Sequence, residues 1–204
     1  MTWAGGGLTR LLIVTAGALM TETNHAASFT EALLAQGAVP AQAARMTLYS
    51  PLLGSWEVDV VDYEDGGTRR TSKGEWHFAW VLEGRAIQDV FIAPARWARR
   101  PSQPATGNRY GTTLRVYDPK LDAWRVTWIN PVNGVSNTLL GRQRGEDIVQ
   151  EGQDTDGSLI RWSFSEITPR SFRWRGELST DEGRTWRLAA EFRGRRIGDA
   201  GATR

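Results

Sequence analysis

From Leu52 to Arg196 the chain keeps one rhythm: a stretch in which large apolar and polar residues alternate, then a turn. Trp124-Arg125-Val126-Thr127-Trp128-Ile129 and Phe172-Arg173-Trp174-Arg175 show the alternation. A period of two belongs to a half-buried antiparallel strand, whose successive side chains point to opposite faces, and does not suit a helix. The turns are explicit, among them Glu64-Asp65-Gly66-Gly67, Glu83-Gly84, Asp118-Pro119, Pro131-Val132-Asn133-Gly134, Asp154-Thr155-Asp156-Gly157 and Asp181-Glu182-Gly183. Gly and Asn accept positive φ, Pro fixes φ, and Asp bonds to its own backbone. About ten such strands with short connections predict an all-β fold, an antiparallel up-and-down barrel, because a sheet that long keeps exposed edges unless it closes. A barrel of that size encloses more space than its side chains just fill, so an internal cavity is expected.

The same period sorts the aromatic residues. Trp76, Phe78 and Trp80 share a face, as do Trp124, Val126 and Trp128; Trp162 joins Ile160 and Phe164, Trp174 joins Phe172 and Leu178, and Trp186 aligns with Leu188 and Phe192. The opposite faces carry Glu75 and His77, Arg125 and Thr127, Arg161 and Ser163, and Arg173, Arg175 and Glu177. The aromatic faces are expected to point inward, with arginines coating the outside in cross-strand pairs with acids. An interior lined by Trp76, Phe78, Trp80, Tyr110, Trp128, Trp162 and Trp174 would take a small apolar or aromatic ligand. Asn137 and Gln150, polar residues on otherwise apolar alternations, would orient it. The opposing expectation is that tryptophan's bulk fills the barrel and leaves no space.

Composition narrows the chemistry. Ten tryptophans accompany no cysteine and two histidines, His25 and His77. Lack of cysteine removes disulfide frameworks, thiolate zinc sites, iron–sulfur clusters and cysteine nucleophiles. Two histidines leave little for a histidine-based metal site, so no cofactor and no metal are expected. Lys plus Arg number 25 against 23 Asp plus Glu, a net charge of +2. So small and dispersed a surplus is a poor footprint for nucleic acid, and no such partner is expected. The local basic cluster, Arg96, Trp97, Arg99 and Arg100, lies in the long irregular stretch Pro94 to Asn108. It reads either as a lid that meets the carboxylate or phosphate of an anionic ligand, or as a solvated loop whose arginines pair with nearby acids.

Ahead of the barrel, Leu11 to Met20 is a mostly apolar decamer following Arg10. A membrane-spanning helix needs about 20 residues, so no stable membrane insertion is expected. The decamer fits the core of a secretory signal peptide cleaved near Ala16-Gly17-Ala18, which would place the protein in the periplasm or outside the cell. Alternatively Met20 is the true start and the protein is cytoplasmic. Ser28-Phe29-Thr30-Glu31 has the capping-box form ahead of Leu33 and Leu34, and Gly37 and Pro40 stop the helix. The chain thus divides into residues 1–20, a leader or upstream sequence; 21–49, a lead-in whose short amphipathic helix could plug one end of the barrel; 50–197, the barrel; and 198–204, a disordered tail.

Leu53-Gly54-Ser55-Trp56 opens the first strand and resembles the Gly-x-Trp motif of lipocalin-like (calycin) barrels. The resemblance implies a tryptophan packed across the barrel base against an arginine of the last strand, for which Arg193 and Arg195 are the matching positions. Tyr117-Asp118-Pro119, the strand Trp124 to Trp128, Phe172-Arg173-Trp174 and Ser179 to Trp186 follow in order. In that order, residues from about 50 to 196 resemble a bacterial family of lipocalin-like proteins that supplies a fold without an established reaction. Nitrobindin-like relatives of this barrel class hold haem through a histidine on a late strand. No histidine follows His77 here, so haem is not expected. Ser179 to Trp186 also has the form of an Asp-box, the hairpin of sialidase-type propellers. It occurs once, where a propeller would repeat it, and is read as a structural turn in which Asp181 satisfies its own backbone.

Two functions follow. One is binding of a small hydrophobic or aromatic molecule in the barrel interior. The other is a cofactor-free lyase, isomerase or cyclase acting inside the barrel, a fold-level analogy. Its general base would be His77, with Glu75 on the same strand face and Asp89 on the next strand, although the alternation puts His77 outside. Tyr110 with an inward arginine would be an alternative acid or oxyanion-binding pair. The outer strand faces could join two copies in a homodimer.

Overall fold

In the computed structural model, which describes residues 1–2, 28–64, 66–100 and 108–197, ten antiparallel strands run around a closed barrel. They are β1 (Gly54–Tyr63), β2 (Arg69–Val81), β3 (Ala86–Ala93), β4 (Arg109–Asp118), β5 (Ala123–Asn130), β6 (Val135–Arg144), β7 (Asp147–Gln153), β8 (Leu159–Ser165), β9 (Ser171–Ser179) and β10 (Arg187–Arg196). Each pairs with its sequence neighbours, and β1 closes the ring against β10. Closure satisfies every strand edge, which an open meander of this length could not do. The all-β up-and-down barrel predicted by the alternation is the fold. The decamer Leu11–Met20, His25, the tail after Ile197 and residues 101–107 of the long loop lie outside the described residues. Among the described residues no helix is long and apolar enough to cross a membrane.

The capping box forms as expected, with Glu31 N–H donating to Ser28 Oγ at 3.2 Å and Ser28 N–H donating to Glu31 Oε2 at 2.7 Å. The helix it starts, Phe29–Leu33, buries nothing and leaves Phe29 79% exposed, so it does not plug the barrel. Five residues make little more than one turn and cannot present an apolar stripe. The segment is held instead by its backbone: Ala35 N–H donates to Trp80 O, and Val39 N–H to Gly84 O. The plug comes later, from Met46, Tyr49 and Leu52, all fully buried.

Trp56 forms the barrel base above this plug and donates its indole N–H to Leu52 O at 2.7 Å. The guanidinium of Arg196 covers its ring at 4.0 Å. Arg196 also donates to the carbonyls of Pro51, Leu53 and Pro169. The implied partners, Arg193 and Arg195, are not the stacking residues. Arg195 pairs outside with Asp59 and Glu57, and Arg193 with Glu191. The reason is register: Trp56 lies opposite Arg196, and neighbours one position away point to the other face. Gly54 fits this corner in two ways, with φ at 108° and with a would-be Cβ only 2.6 Å from Arg196 Nη1.

One irregularity shifts the aromatic phase. A bulge between Leu188 and Ala190 in β10 puts Phe192 inward while Trp186 stacks outside, 3.8 Å beneath the Arg161 guanidinium, so the two do not share a face. The Asp181 turn is structural, its carboxylate accepting from Ser179 Oγ and from the backbone and hydroxyl of Thr185. These bonds hold the Asp181 pKa down at about 2.

Candidate ligand-binding cavity

The tryptophans fill one half of the barrel and border an open space in the other. Near the plug the rings fill the interior: Trp56 meets Phe172 at 4.8 Å between centroids, and Trp76 meets Phe78 at 5.0 Å and Phe164 at 5.4 Å. Beyond them lies a cavity of about 220 Å³ walled by six aromatic rings, Trp76, Phe91, Trp128, Trp162, Trp174 and Phe192. Its lining reaches Arg109, Leu178 and Ala189, at the strand ends away from the plug. Small residues opposite the large ones set this shape. A Cβ on Gly176 would lie 2.6 Å from Trp174 Cη2, and one on Gly111 would lie 2.5 Å from Trp128 Cη2.

The deep end of the cavity is polar. Arg115, on β4, and Asp89, on β3, both point inward, each 1% exposed, and form an ion pair. Asp89 also accepts from the Thr113 backbone N–H at 3.2 Å. The Arg115 guanidinium lies against the rings of Tyr49 at 5.1 Å, Phe78 at 5.5 Å and Phe164 at 5.9 Å. Burial pushes the Tyr49 phenol far above its usual range, against the opposing pull of Arg115, so it stays a neutral donor to Gln150 Oε1 at 3.3 Å. Among the described residues five buried donors have no hydrogen-bond partner: Trp76 Nε1 and Arg115 Nε on residues of the cavity wall, Gln150 Nε2 in the filled half, and Arg173 Nε and Arg175 Nε on β9. At the mouth, inward Asp62 is shared by Arg109 and Arg70.

Of the residues expected to line a site, Trp76, Trp128, Trp162 and Trp174 line the cavity. Phe78 and Gln150 are inward and buried but lie outside its lining, in the filled half. Trp80 packs against the core at the plug end, and Asn137 is tied to Asp154 Oδ1 at 3.1 Å. Tyr110 corrects the expectation: it faces outward, 43% exposed, beneath the Arg99 guanidinium. Its strand inverts the usual alternation, with Gly111, Thr113 and Arg115 inward and Thr112, Leu114 and Val116 outward. Phe91, Thr113 and Arg109 went unassigned in the sequence, Phe192 was expected inward without a place in the site, and Asp89 was offered to His77 rather than paired with Arg115. Asp89, set between Ile87 and Phe91 on an apolar alternation, was the available signal.

His77 is outside, its ring bonded to Ser55 Oγ at 2.9 Å and to Glu75 Oε2 at 3.0 Å. Asp89 points the other way, so no His77–Asp89 couple exists, and the assignment of His77 as a base inside the barrel fails on geometry. Glu75 is instead gripped by the long loop through Arg96 N, Nε and Nη2, at 2.7, 2.9 and 2.9 Å. These bonds to Arg96 hold the Glu75 carboxyl down at about 2. Arg99 donates to Pro94 O at 3.1 Å, so these two loop arginines have protein partners. Among the described residues no cluster of three or more His, Asp or Glu side chains is arranged to hold a metal ion.

The sequence matches no protein-family model and no curated protein. Solved structures do match. Rv2717c of M. tuberculosis is similar at a TM-score of 0.53 and 17% identity, over 78% of this chain and 99% of that one. The S-type phycobiliprotein lyase CPES of Guillardia theta is similar at a TM-score of 0.50 and 11% identity, over 74% and 91%. Both are lipocalin-like barrels. The fold is calycin-like. At these identities the likeness concerns the fold alone, and the chemistry of this barrel must be argued from its own residues.

Proposed function

We propose that the barrel binds a small apolar or aromatic molecule in the cavity away from the plug. The observation that carries this reading is the space itself, about 220 Å³ bounded by six aromatic rings. A chain using its tryptophans only to fill a core would close such a space, because an unfilled apolar void destabilises the fold. Usual small-molecule sites measure about 300–1,000 Å³, so the ligand is smaller than a typical drug. An anionic substituent would belong at the mouth beside Arg109 and Arg70, which share one carboxylate, rather than under Arg96. Binding without catalysis is favoured over a lyase, isomerase or cyclase. The ionisable groups on the cavity wall are engaged in ion pairs, Arg115 with Asp89, Arg109 with Asp62 and Glu177 with Arg175, and His77 lies outside.

Titration with small aromatic compounds, followed by intrinsic fluorescence, tests the reading. Four tryptophans line the cavity, so a bound ring should quench or shift the emission saturably. Unchanged emission across a panel of one- and two-ring compounds, with calorimetry equally silent, would reject it.

A further inference from the structure

The loops at the mouth end of the barrel differ in charge from one side to the other. Glu64 stands in the β1–β2 loop, Asp154 and Asp156 in β7–β8, and Asp181 and Glu182, beside Arg184, in β9–β10. The β5–β6 loop, residues 131–134, and the described part of the β3–β4 loop, residues 94–100, hold no acid. The second of these carries Arg96, Arg99 and Arg100. Arg96 is committed to Glu75, but Arg99 and Arg100 meet no carboxylate among the described residues. The same sector of the rim is apolar. Trp97 is 61% exposed, and Tyr110, Ile129, Val132 and Val135 are exposed with it. Their backbone contacts make them neighbours. The Tyr110 and Val132 amides donate to one oxygen, Asn130 Oδ1, at 3.4 and 3.3 Å, and Val135 pairs with Asn130. The Arg99 guanidinium, two residues beyond Trp97, lies over the Tyr110 ring at 5.4 Å. Arg109 and Trp128, both of the cavity wall, immediately precede Tyr110 and Ile129, so the patch borders the cavity mouth.

Exposed aromatic and aliphatic side chains beside arginines that lack a carboxylate suit the surface of an anionic bilayer. The rings enter the headgroup layer, and the guanidinium groups meet lipid phosphates. A second copy of the chain fits less well, because a two-fold axis through the patch would set Arg99 and Arg100 against their own copies. We propose that the barrel docks peripherally on anionic membranes through the rim around Trp97, Tyr110 and Val132, with Arg99 and Arg100 on the headgroups and the acidic loops turned toward water. No segment crosses the bilayer in this arrangement. The cavity mouth opens beside the lipid, the phase in which an apolar ligand concentrates. Docking stands on the surface alone and holds whether or not the cavity is filled.

The test is cosedimentation of the full-length protein with phosphatidylcholine vesicles, either pure or containing about a third phosphatidylglycerol. Affinity for the anionic vesicles should be higher by about fivefold or more, since each arginine near such a surface is worth a factor of about five, and high salt should reduce the difference. Trp97→Ser and Val132→Ser, both on exposed side chains outside the cavity wall, should each weaken binding to the anionic vesicles several-fold. Arg193→Ala, which removes a positive charge from the outer face of β10, should leave it unchanged. Equal binding to the two vesicles, or none to either, overturns the proposal. So does binding that survives both serine variants, which would put the contact elsewhere in the chain, the apolar decamer Leu11–Met20 included. A dimer in sedimentation velocity that either serine variant breaks would make a second copy the occupant of the rim and overturn it equally. A silent fluorescence titration would reject ligand binding and leave each of these outcomes readable.

Discussion

Arg196 and Trp56 face each other across the seam where β1 meets β10, the guanidinium 4.0 Å above the indole. The same guanidinium ties down three carbonyls from two separate segments, Pro51 and Leu53 before the barrel and Pro169 between β8 and β9. One side chain therefore joins the lead-in, the closing strand and a hairpin. Arg196→Ala should cost about 2–4 kcal/mol, the sum of a half-buried cation–π contact over a fully buried indole and the lost bonds. Arg195→Ala, one residue away on the outer face, should cost less than about 1 kcal/mol. Urea midpoints of the two variants measure the contrast.

The Asp89–Arg115 pair should be intolerant of half-removal. Asp89→Ala leaves a buried guanidinium without a counter-ion and should lose about 3–5 kcal/mol, whereas Asp89→Leu combined with Arg115→Met should recover most of it. Chemical denaturation of single and double variants decides this, and a double variant as unstable as Asp89→Ala would contradict it.

Gly176→Ala should abolish the fluorescence response to aromatic compounds while leaving the far-UV spectrum unchanged. The added methyl arrives 2.6 Å from Trp174 Cη2, and the indole must swing to accommodate it. Because Gly176 and Trp174 both line the cavity, the displaced ring changes the space a ligand would occupy.

Acid should loosen the long loop. The Glu75 carboxyl, lowered from 4.5 to about 2 chiefly by Arg96, contributes stability that is full above pH 4.5 and is lost as pH falls toward 2. Glu75→Gln should remove part of the fall in urea midpoint across that window and should raise hydrogen exchange at Arg96 N–H even at neutral pH. A wild type and variant with parallel pH profiles would contradict this.

Much of the barrel was legible because alternation is local. Trp76, Trp124, Trp128, Trp162 and Trp174 point inward as their spacing requires, and the turns fall where Gly, Pro and Asp cluster. What failed was phase between distant strands. Whether Arg195 or Arg196 meets Trp56 depends on how β10 slides against β1, and a slip of one residue reverses every side chain. The bulge in β10 likewise breaks the phase between Trp186 and Phe192. Tyr110 misled for a different reason. Its strand carries Arg115 inward and Val116 outward, a local inversion tolerated because Asp89 supplies the counter-ion from the adjacent strand. Departures of this kind gather where a structure has a task besides stability. Here that place is the deep wall of the cavity.

The absence of a side chain at Gly176 and Gly111 lets Trp174 and Trp128 lean back against the sheet. The barrel's capacity is therefore written in its smallest residues as much as in its largest. A methyl group added at Gly176 would act as a shim, pushing the Trp174 indole into the space it now leaves open. Chains built on this frame could change what they hold one carbon at a time, with every aromatic wall residue left as it is.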